Sequence, residues 1–137
     1  MPHQHLICAI DGSDHSRRAA EFAAAIALGM KCRLTFLTVR PYIVGRSVVA
    51  DMWSPEEAAK CLDEAVQIAR RCGYSDPAAV ELRARDVAHA ILDYAEKNDA
   101  DHIVMGSAGK DAIKRFVIGS TSADVLRKAF CPVTIVH

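Results

Sequence analysis

MGSAGKDAIKRFVIGST, residues 105–121, is the stretch on which the reading of this chain turns. The apolar run Ile103 to Met105 leads into it and reads as a strand, while Ala123 to Ala129 follows with a helical pattern. Between them, Gly106 and Gly109 flank Ser107 and Ala108, and Gly119 opens the helix together with Ser120, Thr121 and Ser122. Glycines let backbone approach a ligand closely and reach positive φ, so that successive N–H groups converge on an anion. Gly119 is expected to use such a conformation. A helix start adds N–H groups without intrahelical partners and the positive end of the helix dipole. Lys110, Lys114 and Arg115 place positive charge in the intervening loop. The stretch reads as a phosphate cradle, with turn punctuation as the plainer alternative.

Two well-known phosphate motifs are absent. Gly109-Lys110 is followed by Asp111 rather than Ser or Thr, so the P-loop pattern fails, and G-x-G-x-x-G does not occur. The spacing present is G-x2-G-x9-G-S, formed by Gly106, Gly109, Gly119 and Ser120. Its meaning depends on where the rest of the chain places it.

His5 to Ile10 is continuously apolar after its first residue, as expected of a strand buried on both faces, and it ends in Asp11-Gly12-Ser13. Ser13 is positioned to cap a helix whose apolar stripe is Ala19, Phe22, Ala23, Ile26 and Ala27, with Gly29 closing it. A second strand runs from Arg33 to Val39. Residues 40–53 show no periodicity and read as an irregular segment, either a binding loop or a surface excursion. Ser54, Pro55 and Glu57 form a capping-box start for a helix with stripe Ala59, Leu62, Val66 and Ala69, which Gly73 ends. Ala79 to Arg85 alternates apolar and charged residues and belongs at a sheet edge. Asp86 caps a helix that runs out at Asn98, Asp101 to Met105 is the fourth strand, and Cys131 to His137 the fifth.

The alternation predicts one domain over residues 1–137: an α/β fold with a doubly wound five-stranded parallel sheet, order 3-2-1-4-5, and helices on both faces. In such a sheet the connections reverse direction between strands one and four, and ligands bind at the carboxyl ends of the strands there. Asp11-Gly12-Ser13 ends strand one and Gly106 to Gly109 follows strand four, so the two most ligand-like stretches are expected to meet. That coincidence favours nucleotide binding over punctuation.

Composition narrows the partners. Lys and Arg total 17 and so do Asp and Glu, so no bulk attraction to nucleic acid or an anionic membrane is expected, and any anion site must be local. The apolar runs are too short to span a bilayer, and the first residues lack a signal-peptide pattern. The five cysteines are scattered without C-x-x-C, which fits reduced thiols in a cytoplasm.

Nearly the whole chain resembles the universal stress protein family. The likeness is carried by Ala9-Ile10-Asp11-Gly12-Ser13 with Ser16, by Ala100 through Gly109, by the glycine spacing, and by Cys131-Pro132-Val133. The resemblance is to the ATP-binding branch, and it implies ATP with Mg²⁺ as ligand, the metal ligands remaining unassigned. It implies that Asp11, beside Ala9, accepts hydrogen bonds from the nucleoside and that Val39 packs against adenine. Met105 and Gly106 would begin the loop over ribose and phosphates, with Gly109, Gly119, Ser120 and Thr121 around the triphosphate. Gly12, Ser13 and Lys110 complete the candidate set. Arg85 and Val87 stand where the family commonly has glycine and proline, so the crevice rim is expected to differ.

Other residues carry competing readings. Asp11 either reads a nucleoside or only shapes the turn. His15 reads as a solvated histidine, with a phosphate contact as the alternative. His3 and His5 read as terminus residues, with weak metal binding as the alternative, and His89 and His102 as surface residues. Cys8 and Cys131 look like core, and Trp53 either packs down the loop or caps a pocket. No Ser-His-acid context suggests a nucleophile. A regulatory ATP-binding module is therefore preferred to a slow ATPase or autophosphorylating enzyme acting on Ser120 or Thr121. Asp111 is the sole acidic residue in the loop, and phosphoryl transfer needs a positioned base. A partner-binding module with an empty crevice is the third reading, and an unknown protein partner is compatible with each. Strand five carries no Lys, Glu or Asp at an expected sheet edge, which predicts a homodimer paired through it. The resemblance implies the same dimer.

Overall fold

β1 (His5–Ala9) is buried along its whole length, and the rest of the fold is laid against its two edges and two faces. The structure is a computed structural model that describes residues 4–108 and 118–137. After β1 come α1 (Asp14–Met30), β2 (Arg33–Val44), β3 (Val49–Asp51), α2 (Pro55–Arg71) and β4 (Ala78–Ala84). They are followed by α3 (Val87–Lys97), β5 (His102–Gly106), α4 (Ser120–Lys128) and β6 (Val133–Val136). β1 pairs in parallel with β2 on one side and β5 on the other, β4 adds parallel to β2, and β6 adds parallel to β5. The parallel order β4-β2-β1-β5-β6 is the predicted 3-2-1-4-5 arrangement.

One strand is additional. Residues 40–53 are not irregular: β2 continues through Pro41 to Val44 and turns back as β3, pairing Tyr42 with Asp51 and Val44 with Val49. Arg40 and Pro41 are still paired with β4, so β2 exchanges its parallel neighbour for an antiparallel one at Pro41. The extension has no apolar alternation because its residues, from Ile43 to Val49, are exposed on both faces. A pattern that reports burial cannot report such a strand.

The two sheet faces carry separate cores. α1 and α2 cover Leu6, Cys8, Leu34, Phe36 and Val104, whereas α3 and α4 cover Ile7, Leu37, Val39, Ile103 and Met105. The stripes on α1 and α2 are each turned slightly from expectation. On α1 the buried side chains are Ser16, Ala19, Ala20, Ala23, Ala24 and Ala27, and Phe22 is 46% exposed. Small residues let the helix lie close to the sheet, so the face richest in alanine wins over the face with larger side chains. On α2, Ala58, Cys61, Leu62, Ala65, Ile68 and Ala69 are buried, and Ala59 faces out.

Helix ends follow local chemistry with one exception. The Ser13 hydroxyl accepts from Ser16 N–H, Asp86 from His89 N–H, and Ser54 with Glu57 forms the full capping box. Gly73 follows α2 at φ +100°, a conformation in which a side chain would be strained. Gly29, however, lies inside α1. Lys31 takes the left-handed position at φ 54°, its N–H reaching the Ala27 and Leu28 carbonyls.

Candidate functional site

The turn after β1 is built by its own residues. Ile10 N–H donates to the Leu37 carbonyl at 2.9 Å, and Thr38 Oγ1 donates back to the Ile10 carbonyl at 2.8 Å. Gly12 then turns the chain at φ 83°, which glycine alone adopts freely. Asp11 Oδ1 accepts from Ser13 N–H at 2.9 Å, and Ser16 Oγ accepts from Gly12 N–H at 3.1 Å. Asp11 thus shapes the turn and still lines the space beyond it.

The end of β5 is locked to three other elements. Ser107, fully buried, donates its N–H to the Val136 carbonyl at 2.8 Å, and its carbonyl accepts Gly119 N–H at 2.7 Å. Its Oγ lies 2.8 Å from His15 Nδ1. His15 is therefore half-buried and engaged at the junction of β5 and α1 rather than solvated. Ser122 Oγ donates to the Gly106 carbonyl at 2.7 Å. Gly106 is glycine because α1 passes over it: a Cβ there would stand 2.8 Å from His15 Cβ and 2.9 Å from the His15 carbonyl carbon. Tight packing of α1, not ligand approach, is the observed demand at this position.

Gly119 is the N-cap of α4 at φ −65°, so the expectation of positive φ there is corrected; any residue can adopt that backbone. Having no side chain, it makes no capping bond, and the leading N–H groups of α4 have no intrahelical partner. Ser120 and Thr121 stand at that end, exposed and half-exposed.

These pieces surround a cavity of about 480 Å³ at the carboxyl ends of β1, β2 and β5. Of the candidate residues, Ala9, Asp11, Val39, Met105, Gly106, Gly119, Ser120 and Thr121 line it, whereas Gly12 and Ser13 lie behind the wall in the turn. Gly109 and Lys110, with Asp111, Lys114 and Arg115, fall outside the described residues. The cavity has two kinds of wall. Leu37, Val39, Pro41, Val87 and Ile91 are apolar, while Gly106, Gly119, Ser120, Thr121 and Ser122 are small or hydroxylated. Leu37, Pro41, Ile91 and Ser122 also line it without having been candidates for ligand contact, and Trp53, read as either packing down the loop or capping a pocket, does line it. Pro41 and Trp53 flank the β2–β3 hairpin, whose one local signal in the sequence is Gly45-Arg46-Ser47 between the β-branched runs at Ile43-Val44 and Val48-Val49.

Polar residues at the other end of the sheet are engaged in structure. His5 is 3% exposed, with Nδ1 2.9 Å from the Asn98 carbonyl and Nε2 2.8 Å from Thr35 Oγ1. It is neither frayed nor a metal ligand candidate. His102 is half-buried, its Nε2 2.7 Å from Thr134 Oγ1. Cys8 is core, its thiol pushed far up by burial, and Cys131 is half-buried against the second core. All five cysteines are free thiols. Among the described residues no cluster of His, Cys, Asp or Glu could hold a metal ion, and no helix is long and apolar enough to cross a membrane.

Comparison with known proteins agrees with this architecture. The chain matches the model of the universal stress protein family over residues 2–137. It is similar to a crystal structure of a universal stress protein in complex with cAMP: 27% identity, TM-score 0.77, covering 100% of this chain and 98% of that one. It is similar also to the universal stress protein of Archaeoglobus fulgidus in complex with dAMP, at 27% identity and TM-score 0.76, each chain covered completely. UspA of Lactobacillus plantarum shares the fold at 24% identity and TM-score 0.79, covering 100% of this chain and 99% of that one. No curated protein sequence matches. The order of the parallel strands, the cavity at their carboxyl ends and the match along the chain lead to one conclusion: this protein belongs to the universal stress protein family.

Proposed function

We propose that the chain is a regulatory adenine-nucleotide-binding module whose ligand is ATP, held in the cavity at the carboxyl ends of β1 and β5. The observation that carries this reading is the joining, in one cavity, of an apolar end at Leu37, Val39 and Ile91 with the uncapped start of α4. An apolar slot suits a base; the N–H groups of a helix start, with a dipole behind them, suit phosphates. Asp11 lines the same cavity and offers an acceptor for ribose or adenine. Relatives solved with cAMP and dAMP support an adenine nucleotide. Mg²⁺ would accompany the triphosphate in this reading. Binding without turnover is the function proposed, with nucleotide occupancy altering association with itself or a protein partner in a stress response. The free thiols fit a reducing cytoplasm.

Calorimetry of the purified chain with ATP, NAD and FMN tests the ligand. Binding of ATP alone is expected, weakened by removing Mg²⁺; equal or absent ATP binding sinks the reading. A homodimer through β6 belongs to the same proposal, because β6 stands at the sheet edge with half-buried side chains and no charge. Light scattering should give a dimer for the native chain and a monomer for Ile135→Lys.

A further inference from the structure

The β2–β3 hairpin is fastened at its base by a cluster of charges that no function so far described uses. Asp51 accepts from Arg83 Nε at 2.7 Å, and Arg40 Nη1 lies 3.8 Å from the same carboxylate oxygen. Arg40 is nine-tenths buried; its Nε sits 3.3 Å from Glu81 Oε1 without hydrogen-bond alignment. The Arg83 guanidinium also lies 4.2 Å over the Tyr42 ring, on the strand facing Asp51. Two cations from neighbouring strands therefore grip one carboxylate at the point where the hairpin leaves the sheet. The next residue, Met52, donates its N–H to the Pro41 carbonyl at 2.9 Å, and Trp53 follows, half-buried. Trp53 packs on the α1–α2 core and also lines the cavity, at the end where Pro41 and Val39 make the wall apolar. An aromatic ring beside an apolar slot is a surface on which a purine can stack. Removing the Asp51 carboxylate would leave a buried arginine with less compensation, so the clamp has a reason to stay closed.

We infer that Trp53 forms the side wall against which the nucleobase is held, and that Asp51, gripped by Arg40 and Arg83, is the positioning residue that keeps it there. This rests on the nucleotide reading above. Trp53 is the single tryptophan of the chain, so its emission reports on that wall alone. The full chain is titrated with AMP, which carries the base, and with tripolyphosphate, which does not, followed by calorimetry and by Trp53 fluorescence. AMP should shift the emission and tripolyphosphate should leave it unchanged. Trp53→Ala should weaken AMP by about tenfold, within the range expected of base–aromatic stacking, with tripolyphosphate affinity unaltered. Trp53→Phe, which keeps a stacking face, should recover most of the loss. Asp51→Asn should raise acrylamide quenching of Trp53 in the free protein and weaken AMP about threefold, as a partial release of the wall. AMP binding that leaves emission unchanged and survives Trp53→Ala overturns the inference while the nucleotide reading stands. Native quenching and AMP affinity in Asp51→Asn overturn the clamp. Binding of neither AMP nor ATP by the native chain overturns the nucleotide reading, and the inference with it.

Discussion

The two ends of the parallel sheet differ in what their polar side chains face. At the amino end, buried polar groups face one another. His5 must donate from Nδ1 to the Asn98 carbonyl, which can only accept, and its Nε2 meets the Thr35 hydroxyl. The Asp101 carboxylate accepts the N–H groups of Gln4 and His5 at 2.7 and 3.0 Å. At the carboxyl end, Ser13, Ser16, Ser107 and Ser122 turn the chain or tie elements together, while Asp11, Ser120 and Thr121 border a cavity. A polar group satisfied within the protein contributes to folding; one facing a cavity is available to a ligand. The amino end is therefore expected to govern stability, and the carboxyl end binding.

The largest effect should come from His5→Ala, which leaves the buried Thr35 hydroxyl and the half-buried Asn98 carbonyl without their partner. A loss of about 2–4 kcal/mol in urea denaturation is expected, with ATP affinity of the folded protein unchanged. Weakened ATP binding at native stability would break the division between the ends. Asp11→Ala should do the reverse, weakening ATP by about 1.5–3 kcal/mol, the worth of a hydrogen bond to a charged group. Tripolyphosphate should bind as before; an equal loss for both ligands in calorimetry would mean that Asp11 only shapes the turn. Gly106→Ala sharpens the comparison, because this residue lines the cavity yet is constrained by α1. Forcing a Cβ against the His15 backbone should cost about 1–3 kcal/mol, read as a lowered urea midpoint.

The smallest expected effect is a pH dependence seated in the buried thiols. Burial raises the Cys8 thiol above its ordinary value, and Cys32 and Cys131 are raised for the same reason. A folded-state pKa above the unfolded one contributes stability that is complete below the unfolded value, about 8.5 for a thiol. It is lost as pH rises beyond that. The urea midpoint should fall above pH of about 8.5, and Cys8→Ala should flatten that fall. Cys72, exposed, should react with iodoacetamide at neutral pH while Cys8 stays unmodified.

Legibility followed how local the physics was. Ser13, Ser54 with Glu57, and Asp86 could be read as caps because a cap is made by residues three apart. Gly29 misled because Lys31, two residues on, took the left-handed position instead. His5 and His15 were misread because their partners, Thr35 with Asn98 and Ser107, lie far along the chain.

By itself, the sequence determined the alternation of strands and helices, the order of the parallel strands and the end of the sheet where ligand-like residues gather. Apolar periodicity and connection handedness suffice for those. Tertiary structure alone decided what backbone and packing demands Gly12, Gly106 and Gly119 meet. Gly12 serves a positive φ, Gly106 the passage of α1, and Gly119 an uncapped helix start. It alone decided also that an exposed hairpin, invisible to burial patterning, brings Pro41 and Trp53 to the cavity. A residue's spacing is written in the chain, but what stands opposite it is set by contacts between segments distant in sequence, and only folding brings those together.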